Sequence, residues 1–510
     1  MNRRSLLGAL LLVVCLPALA LAQTTASLTI LHTNDTHGHL MPFSYPTIVA
    51  PGSEIARLTA RRDIGGIARR AGMAAKIRAD QSARNIPVWF VDAGDYSDGT
   101  PFSTEYHGEA DVAAMNAAGY TLGTLGNHEF NNPAAQVRKL IELSKFPVIL
   151  SNAVDHVTRK PVGIPWRVEK VGPVRVGVFG LITIEAATYP AGKDGIDVLD
   201  EIATARDLVT TLRSQADIVI LISHCGDGVD NRIAAEVPGI DVIVGAHSHS
   251  RLPVGEFVWR SDDLREDDVN GTVIVQAFQW GGELGRLDLL FRKGSNGRWA
   301  VDRYRERLMP VTADAKPDAA VSAVVDKFWQ PIAQKYAQVV GQATADFSTR
   351  GDDEAPYNLV ADAVRATFGA DVEFENSGGV RAPLVSGAIT QADLVTMDPF
   401  DNKVFTFKAT GRQIRDILTR YTPYVSGVRY RIVDGKLVEA TVNGQPLDDD
   451  KTYSGVTNSY FAGYAMKGIP QQDTGRARLD VITEYIRKKG TVEPAYDGRR
   501  IIMGSRRESR

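Results

Sequence analysis

Gly126-Asn127-His128-Glu129-Phe130-Asn131-Asn132 follows directly on Tyr120-Thr-Leu-Gly-Thr-Leu125. A β-prone run ends there in a glycine turn that carries an amide and an imidazole side by side. An Asn oxygen can complete the shell of a metal ion, and the adjacent His can reach past it to a reacting group. The turn decides the fold only if other strands deliver carboxylates and imidazoles to the same rim.

Working outward, short β-branched runs alternate with helix-like segments from residue 27 to about 305. The pattern predicts strands at 27–32, 87–91, 121–125, 147–150, 174–179, 217–222, 241–244 and 272–276. Helices are expected at 64–80, 110–118, 134–144 and 201–214. The continuous apolar run Ile218-Val-Ile-Leu-Ile222 is that of a strand covered on both faces. Strand and helix in alternation imply an α/β layered domain. Residues 255–270 are more polar and read as a surface loop or hairpin connection.

Near Met309-Pro310 the character changes. Val321, Val324, Val325, Phe328, Ile332 and Tyr336 recur at helical spacing, which predicts a connecting helix over 313–340. Beyond it, helices at 358–368 and 411–421 mix with hairpin-like strands at 428–433 and 437–442. The expected organisation is a leader 1–22, a first domain 23–310, a linker helix 311–340, a smaller α/β domain 341–503 and a tail 504–510.

The chain has 510 residues, which is long for a single core, and its 44% hydrophobic and 23% charged content is that of a globular protein. A formal charge of −3 gives no electrostatic grip on a nucleic-acid polymer. Arg3-Arg4, an apolar run from Leu6 to Leu16 and Ala20-Leu21-Ala22 before Gln23 form a cleavable export signal, too short for a membrane anchor. The arginine pair leaves both the general secretory and the twin-arginine routes open. Cleavage would remove two Arg and no acid, leaving −5, and Cys15 would go with the leader. Cys225 would then be alone, so no disulfide could form within the mature chain.

The strand ends carry an unusual set of polar residues: Asn34, Asp35 and His37; Asp95 after Gly94; Asn127 and His128; His224; His247 and His249. Five of the nine His in the chain lie at such ends. Each has an ordinary structural alternative, such as Asp35 or Asp95 capping a turn, or His224 filling a core. In an open α/β sheet, however, sites form beyond the carboxyl ends of the strands, so residues more than 200 positions apart can meet. Carboxylates and imidazoles without thiolates suit a divalent ion such as Zn or Mn.

Together, Asn34-Asp35-Thr-His37-Gly, Gly94-Asp95, Gly126-Asn127-His128-Glu129, His224 and Gly245-Ala-His247-Ser-His249 resemble the signature of the calcineurin-like metallophosphoesterases. More narrowly they resemble the secreted 5'-nucleotidase family, as do Asn376-Ser-Gly-Gly-Val-Arg381, Asp398-Pro-Phe400 and Thr457-Asn-Ser-Tyr460-Phe461. The resemblance implies a β-sandwich-like metallophosphoesterase domain flanked by helices and a C-terminal domain that binds the nucleoside. It implies two divalent ions, Zn or Mn: Asp35, His37, Asp95 and His249 around one, and a bridging Asp95 with Asn127, His224 and His247 around the other. Such a pair, roughly 3.5 Å apart, clamps an in-line displacement by activated water. His128 would stabilise the phosphoryl oxygens or protonate the leaving alkoxide. Asn376, Gly379 and Arg381 would meet the phosphate, Phe400 and Tyr460 would sandwich the base, and Asn402 would add a polar contact.

Three positions depart from the resembled pattern. Asn131 stands where that family has an Asp paired with the His, so His128 is expected to be less readily protonated. Met466 stands where an acid contacts base or sugar, and a further phosphate-facing Arg has no clear match, although Arg350 is near. The expected activity is release of phosphate from nucleoside 5'-monophosphates, with di- and triphosphates or nucleotide sugars as secondary substrates. The alternatives are a 2',3'-cyclic phosphodiesterase/3'-nucleotidase, a sulfur-oxidation thiohydrolase of the same superfamily and a catalytically weak nucleotide-binding protein. The expected partner is a small nucleotide, with no nucleic-acid polymer and no stable membrane anchor, in a protein that is periplasmic or extracellular.

Overall fold

The computed structural model describes residues 24–47, 49, 53–259, 271–350 and 352–504. The expected leader, with Cys15, and all but the first residue of the expected tail lie outside the described residues. Among the described residues, no helix is long and apolar enough to cross a membrane.

The first half is built on strands β1 (Thr25–Thr33), β2 (Val88–Asp92), β3 (Leu122–Gly123), β4 (Trp166–Val171), β5 (Val174–Ile182), β6 (Ile218–His224), β7 (Val242–Val244), β8 (Glu256–Trp259), β9 (Gly271–Val275), β10 (Glu283–Lys293) and β11 (Trp299–Pro310). They form two sheets, ordered β11-β10-β1-β2-β3 and β8-β9-β7-β6-β5-β4. The strands at the heart of each sheet run parallel: β1 with β2 and β2 with β3, then β5 with β6, β6 with β7 and β7 with β9. Their carboxyl ends therefore point one way within each sheet.

Side-chain alternation explains the layering. Leu28, Ile30 and Val91 of one sheet pack against Val176, Val178, Ile220, Ile222, Val242 and Val244 of the other in a dry inter-sheet core. The opposite parity, Phe179, Leu181, Val219, Leu221 and Ile243, packs against Ala205, Val209, Leu212 and Ile233 of helices Glu201–Arg213 and Asp227–Glu236. On the outer face of the first sheet, Leu31 and Phe90 meet Ile67, Ala71 and Met115 of helices Ile67–Ser82 and Glu109–Ala118. The result is a two-sheet sandwich with helices on both outer faces, which is why β6 is apolar along its whole length.

Three local expectations need correction, and that for 255–270 is refined. Residues 147–150 are not a regular strand; only isolated bridges join Gly123 to Val148 and Ile149 to Ile164. The helix expected at 64–80 starts at Ile67, because Ile64–Gly65 pairs with Pro42–Phe43. Of residues 255–270, Glu256–Trp259 pairs with β9 as one arm of a hairpin, and 260–270 lie outside the described residues. The helix expected over 313–340 is two pieces, Ala319–Trp329 and Ala333–Tyr336, broken beside Pro331, and Val339–Ala343 is already a strand. Proline has no N–H for the helix ladder and clashes with the preceding turn. Val321 and Val325 join the core under the first sheet, while Ile332 and Tyr336 pack on Val395 beyond the connector.

The C-terminal part holds β12 (Val372–Glu375), β13 (Lys403–Thr410), β14 (Tyr424–Ser426), β15 (Thr452–Asn458) and β16 (Gln471–Ala477), in the sheet order β14-β12-β15-β13-β16. Helix Gly411–Tyr421 opens with a capping box between Thr410 and Gln413 and buries Ile414, Ile417 and Leu418 in this core.

Candidate metal centre

The ends of β1, β2, β3, β6 and β7 meet at one rim. His37 Nε2 and His249 Nε2 face each other at 3.1 Å, and His249 Nε2 lies 3.4 Å from Asp35 Oδ1. Asp95 Oδ2 is 3.1 Å from His224 Nε2, 3.9 Å from His37 Nε2 and 4.0 Å from His128 Nε2. Three overlapping groups could each hold an ion, Asp35, His37 and His249; His37, Asp95 and His128; and Asp95, His224 and His247, and the Asp95 carboxylate is shared by two of them. Burial alone would favour a neutral Asp95, but the imidazoles of His224 and His128 hold its carboxyl well below the usual range.

The imidazoles are prepared as ligands by their far sides. His37 Nδ1 donates to Asp98 O at 3.0 Å, His224 Nδ1 to Ala93 O at 2.8 Å and His249 Nδ1 to Gln279 Oε1 at 2.6 Å. A proton fixed on Nδ1 leaves the Nε2 lone pair turned inward. Asn127 Nδ2 donates to Tyr189 OH at 3.1 Å, and its buried Oδ1 has no hydrogen-bond partner. A buried acceptor without a partner is costly, and a divalent cation is the group these atoms fit. Asp35, His37, Asp95, Asp98, His247 and His249 all adopt left-handed backbone, with φ between 46° and 74°. Such conformations in non-glycine residues are held by their surroundings and cluster at functional sites.

Glu129 explains the rest of the Gly126–Asn132 turn. Its buried carboxylate accepts from the backbone of Gly126 (2.7 Å), Asp95 (3.1 Å) and Ser97 (3.0 Å), tying the β2 and β3 exits together. Gly126 is required because a Cβ there would lie 2.0 Å from Asp95 Oδ1.

His128 has a partner that the sequence did not point to. Its Nδ1 lies 2.7 Å from Asp98 Oδ2, a carboxylate from the β2 exit rather than from position 131. Asn131 does not accept from the ring; its Nδ2 donates to the same Asp98 oxygen and lies 3.2 Å from His128 Nδ1. Burial works against an imidazolium, but Asp95 and Asp98 raise the His128 pKa above its ordinary value. Asp98 and Tyr189 were passed over in the sequence because neither sits at the immediate end of an apolar run.

From the C-terminal half, Arg381 reaches the rim, its guanidinium 3.5 Å from His37 Nε2. Its loop is fixed from behind. Asn376 Oδ1 accepts from Asn458 Nδ2 at 2.9 Å, Gly378 N donates to Tyr357 OH, and Gly379 O accepts from buried Arg478 at 2.7 Å.

Residues 28–251 match the calcineurin-like phosphoesterase family and residues 339–468 the 5'-nucleotidase C-terminal domain. The chain is 27% identical to a 5'-nucleotidase of Vibrio vulnificus (strain CMCP6), with 92% of each covered. The chain belongs to the 5'-nucleotidase family. Among solved structures in this family, the 5'-nucleotidase precursor from Thermus thermophilus superimposes with a TM-score of 0.81 at 26% identity, over 94% of this chain and all of that one. The sulfate thiohydrolase SoxB from Thermus thermophilus shares the fold, with a TM-score of 0.78 at 21% identity over 94% of this chain and 97% of that one. As a 5'-nucleotidase family member with a calcineurin-like domain, the protein is a metallophosphoesterase.

The other residues expected at the substrate fall in different places. Phe400 lines a cleft of about 530 Å³ with Asp98, Asn131, Asp398 and Asp401. Tyr460 is 61% exposed, with its ring 5.3 Å from that of Tyr464. Asn402 is buried, and its Oδ1 accepts from Ser459 Oγ at 3.0 Å. Met466 is fully buried with Phe461 and Ile469 in the C-terminal core, so its side chain is packing rather than lining. The Arg350 guanidinium lies 3.9 Å from the centre of the Tyr496 ring.

Proposed function

We propose that this chain is an exported phosphomonoesterase that releases phosphate from nucleoside 5'-monophosphates. In this reading Asp35, His37, Asp95 and His249 hold one divalent cation, Zn or Mn, and Asp95, Asn127, His224 and His247 hold a second. When bound, such a pair supplies Lewis acidity to a phosphoryl oxygen and to water. The chain's own groups do the rest. His128, with Nε2 turned to the rim, donates to a phosphoryl oxygen or to the leaving 5'-alkoxide. Arg381 and the Asn376–Gly379 turn grip the remaining phosphate oxygens, for which a planar guanidinium fork is suited. Phe400 and Tyr460 take the base; stacking accepts any base face, so the preference among bases is weak. Export rests on the basic start, apolar run and Ala20-Leu21-Ala22 of the first residues.

The observation that carries the reading is the unpartnered Asn127 Oδ1 beside the inward-facing His lone pairs, with Arg381 brought to the same rim from the other half of the chain. The test is phosphate release from nucleoside 5'-, 3'- and 2',3'-cyclic phosphates, before and after chelation and with Zn or Mn restored. Release from the 5'-monophosphates, lost with chelator and regained with metal, is expected. Release confined to 3' or cyclic esters would replace the substrate assignment, and binding without release would overturn catalysis.

A further inference from the structure

Asp98 lies in the loop after β2 and belongs to no group of candidate ligands, yet it touches two site imidazoles in different ways. Its main-chain carbonyl receives His37 Nδ1 at 3.0 Å, while its carboxylate receives His128 Nδ1 at 2.7 Å. The residue is itself fixed. Its N–H donates to Ser103 Oγ at 2.8 Å, its backbone is left-handed with φ 70°, and a Cβ on neighbouring Gly99 would lie 2.6 Å from His37 O. The loop is packed directly against the His37 turn.

We infer that Asp98 is the positioning residue for His128, orienting its ring so that Nε2 faces the phosphate, in place of the side chain at position 131. With Nδ1 donating to Asp98, the imidazole is held in one ring orientation that presents Nε2 to the rim, 4.0 Å from Asp95 Oδ2. Asn131 has a lesser part: its Nδ2 donates to the same Asp98 oxygen and holds the carboxylate under the ring. The division of labour within Asp98 has a consequence. Changing its side chain removes the partner of His128 but leaves the carbonyl that orients His37, so ring placement and metal retention separate.

The inference rests on the hydrolytic reading of the site, and its test distinguishes the two. In the metal-loaded protein, Asp98→Asn should lower kcat by about 10- to 100-fold with KM and divalent-ion content unchanged. His128→Gln should fall at least as far, and the double variant Asp98→Asn/His128→Gln should fall no further than His128→Gln alone. Because Asn131 already lies 3.2 Å from His128 Nδ1, adding Asn131→Asp to Asp98→Asn should restore several-fold of the lost kcat. Independently of turnover, the 15N and 1H resonances of the His128 ring should report a hydrogen-bonded Nδ1–H in the wild type and lose that hydrogen bond in Asp98→Asn. Wild-type kcat in Asp98→Asn, additive losses in the double variant or an unchanged His128 Nδ1–H hydrogen bond would overturn the role of Asp98. If no phosphate ester is hydrolysed by the wild type, the proposed function fails, and the ring-resonance measurement still decides the placement of His128.

Discussion

Replacing Arg478 with Met puts the largest buried electrostatic unit of the C-terminal half under test. Arg478 is fully buried and donates to both Asp398 oxygens at 2.9 and 2.6 Å, to Glu375 Oε2 and to Gly379 O. Met fills a similar apolar volume, so the cavity is small; the cost is two buried carboxylates left without their cation. Breaking a buried pair in this way costs about 3–5 kcal/mol. Burial already raises the Glu375 carboxyl above its ordinary value against the pull of Arg478, and loss of the cation raises its folded-state pKa further above the unfolded value. The folded state then binds more protons between those two pKa values, so the variant loses stability as pH rises through that window. The deficit should be smaller at pH 5 than at pH 8. Urea unfolding of wild type and Arg478→Met, followed by circular dichroism at both pH values, measures it. Metal content should be unchanged while KM rises, because the Asn376–Arg381 loop and the Asp398–Phe400 segment lose their shared anchor. A loss below about 1 kcal/mol at pH 8, or a deficit that does not shrink on acidification, would refute the reasoning.

Three further outcomes follow from the geometry. Gly126→Ala drives a Cβ to within 2.0 Å of Asp95 Oδ1, so divalent-ion content by elemental analysis and activity should fall together; retention of both would mean that the turn relaxes freely. Arg381→Lys keeps the charge but loses the planar fork, and should raise KM about tenfold or more with ion content unchanged, read by steady-state kinetics. Burial and the nearby Asp92 push the Tyr120 hydroxyl up to about 12, with Arg70 opposing. Between pH 10 and 12 the unfolded chain has released this proton and the folded one has not, so stability falls as pH rises, by at most about 2.7 kcal/mol. Tyr120→Phe should lessen the alkaline loss in urea titrations.

The metal rim was legible because its signal is local: an apolar strand ends and a ligand-type residue follows within a few positions. That rule finds Asp35, Asp95, Asn127, His224 and His247 without knowledge of their partners. It misses Asp98 and Tyr189, whose roles depend on left-handed turns and on loops folding back, which no periodicity encodes. The partner of His128 is hidden for the same reason: the sequence shows the side chain three residues along, not the Asp98 carboxylate folded back from the loop after β2. Strands β10 and β11 were passed over because only alternate residues, Leu287, Leu289 and Phe291 among them, face the core. Helix Asp227–Glu236 has a short apolar stripe in a polar sequence. Hydrophobic spacing continues past Pro331, where the helical backbone cannot, so the spacing predicts a longer linker helix than the two pieces that form.

The central claim is that distant strand ends form one site for two cations bridged by Asp95. Elemental analysis of the purified wild type and of Asp95→Asn, with phosphate release measured on the same samples, tests it most directly. Two divalent ions per wild-type chain, with ions and hydrolysis both lost in the variant, are predicted. A wild type without stoichiometric divalent ions, or an Asp95→Asn protein that hydrolyses as before, would contradict it.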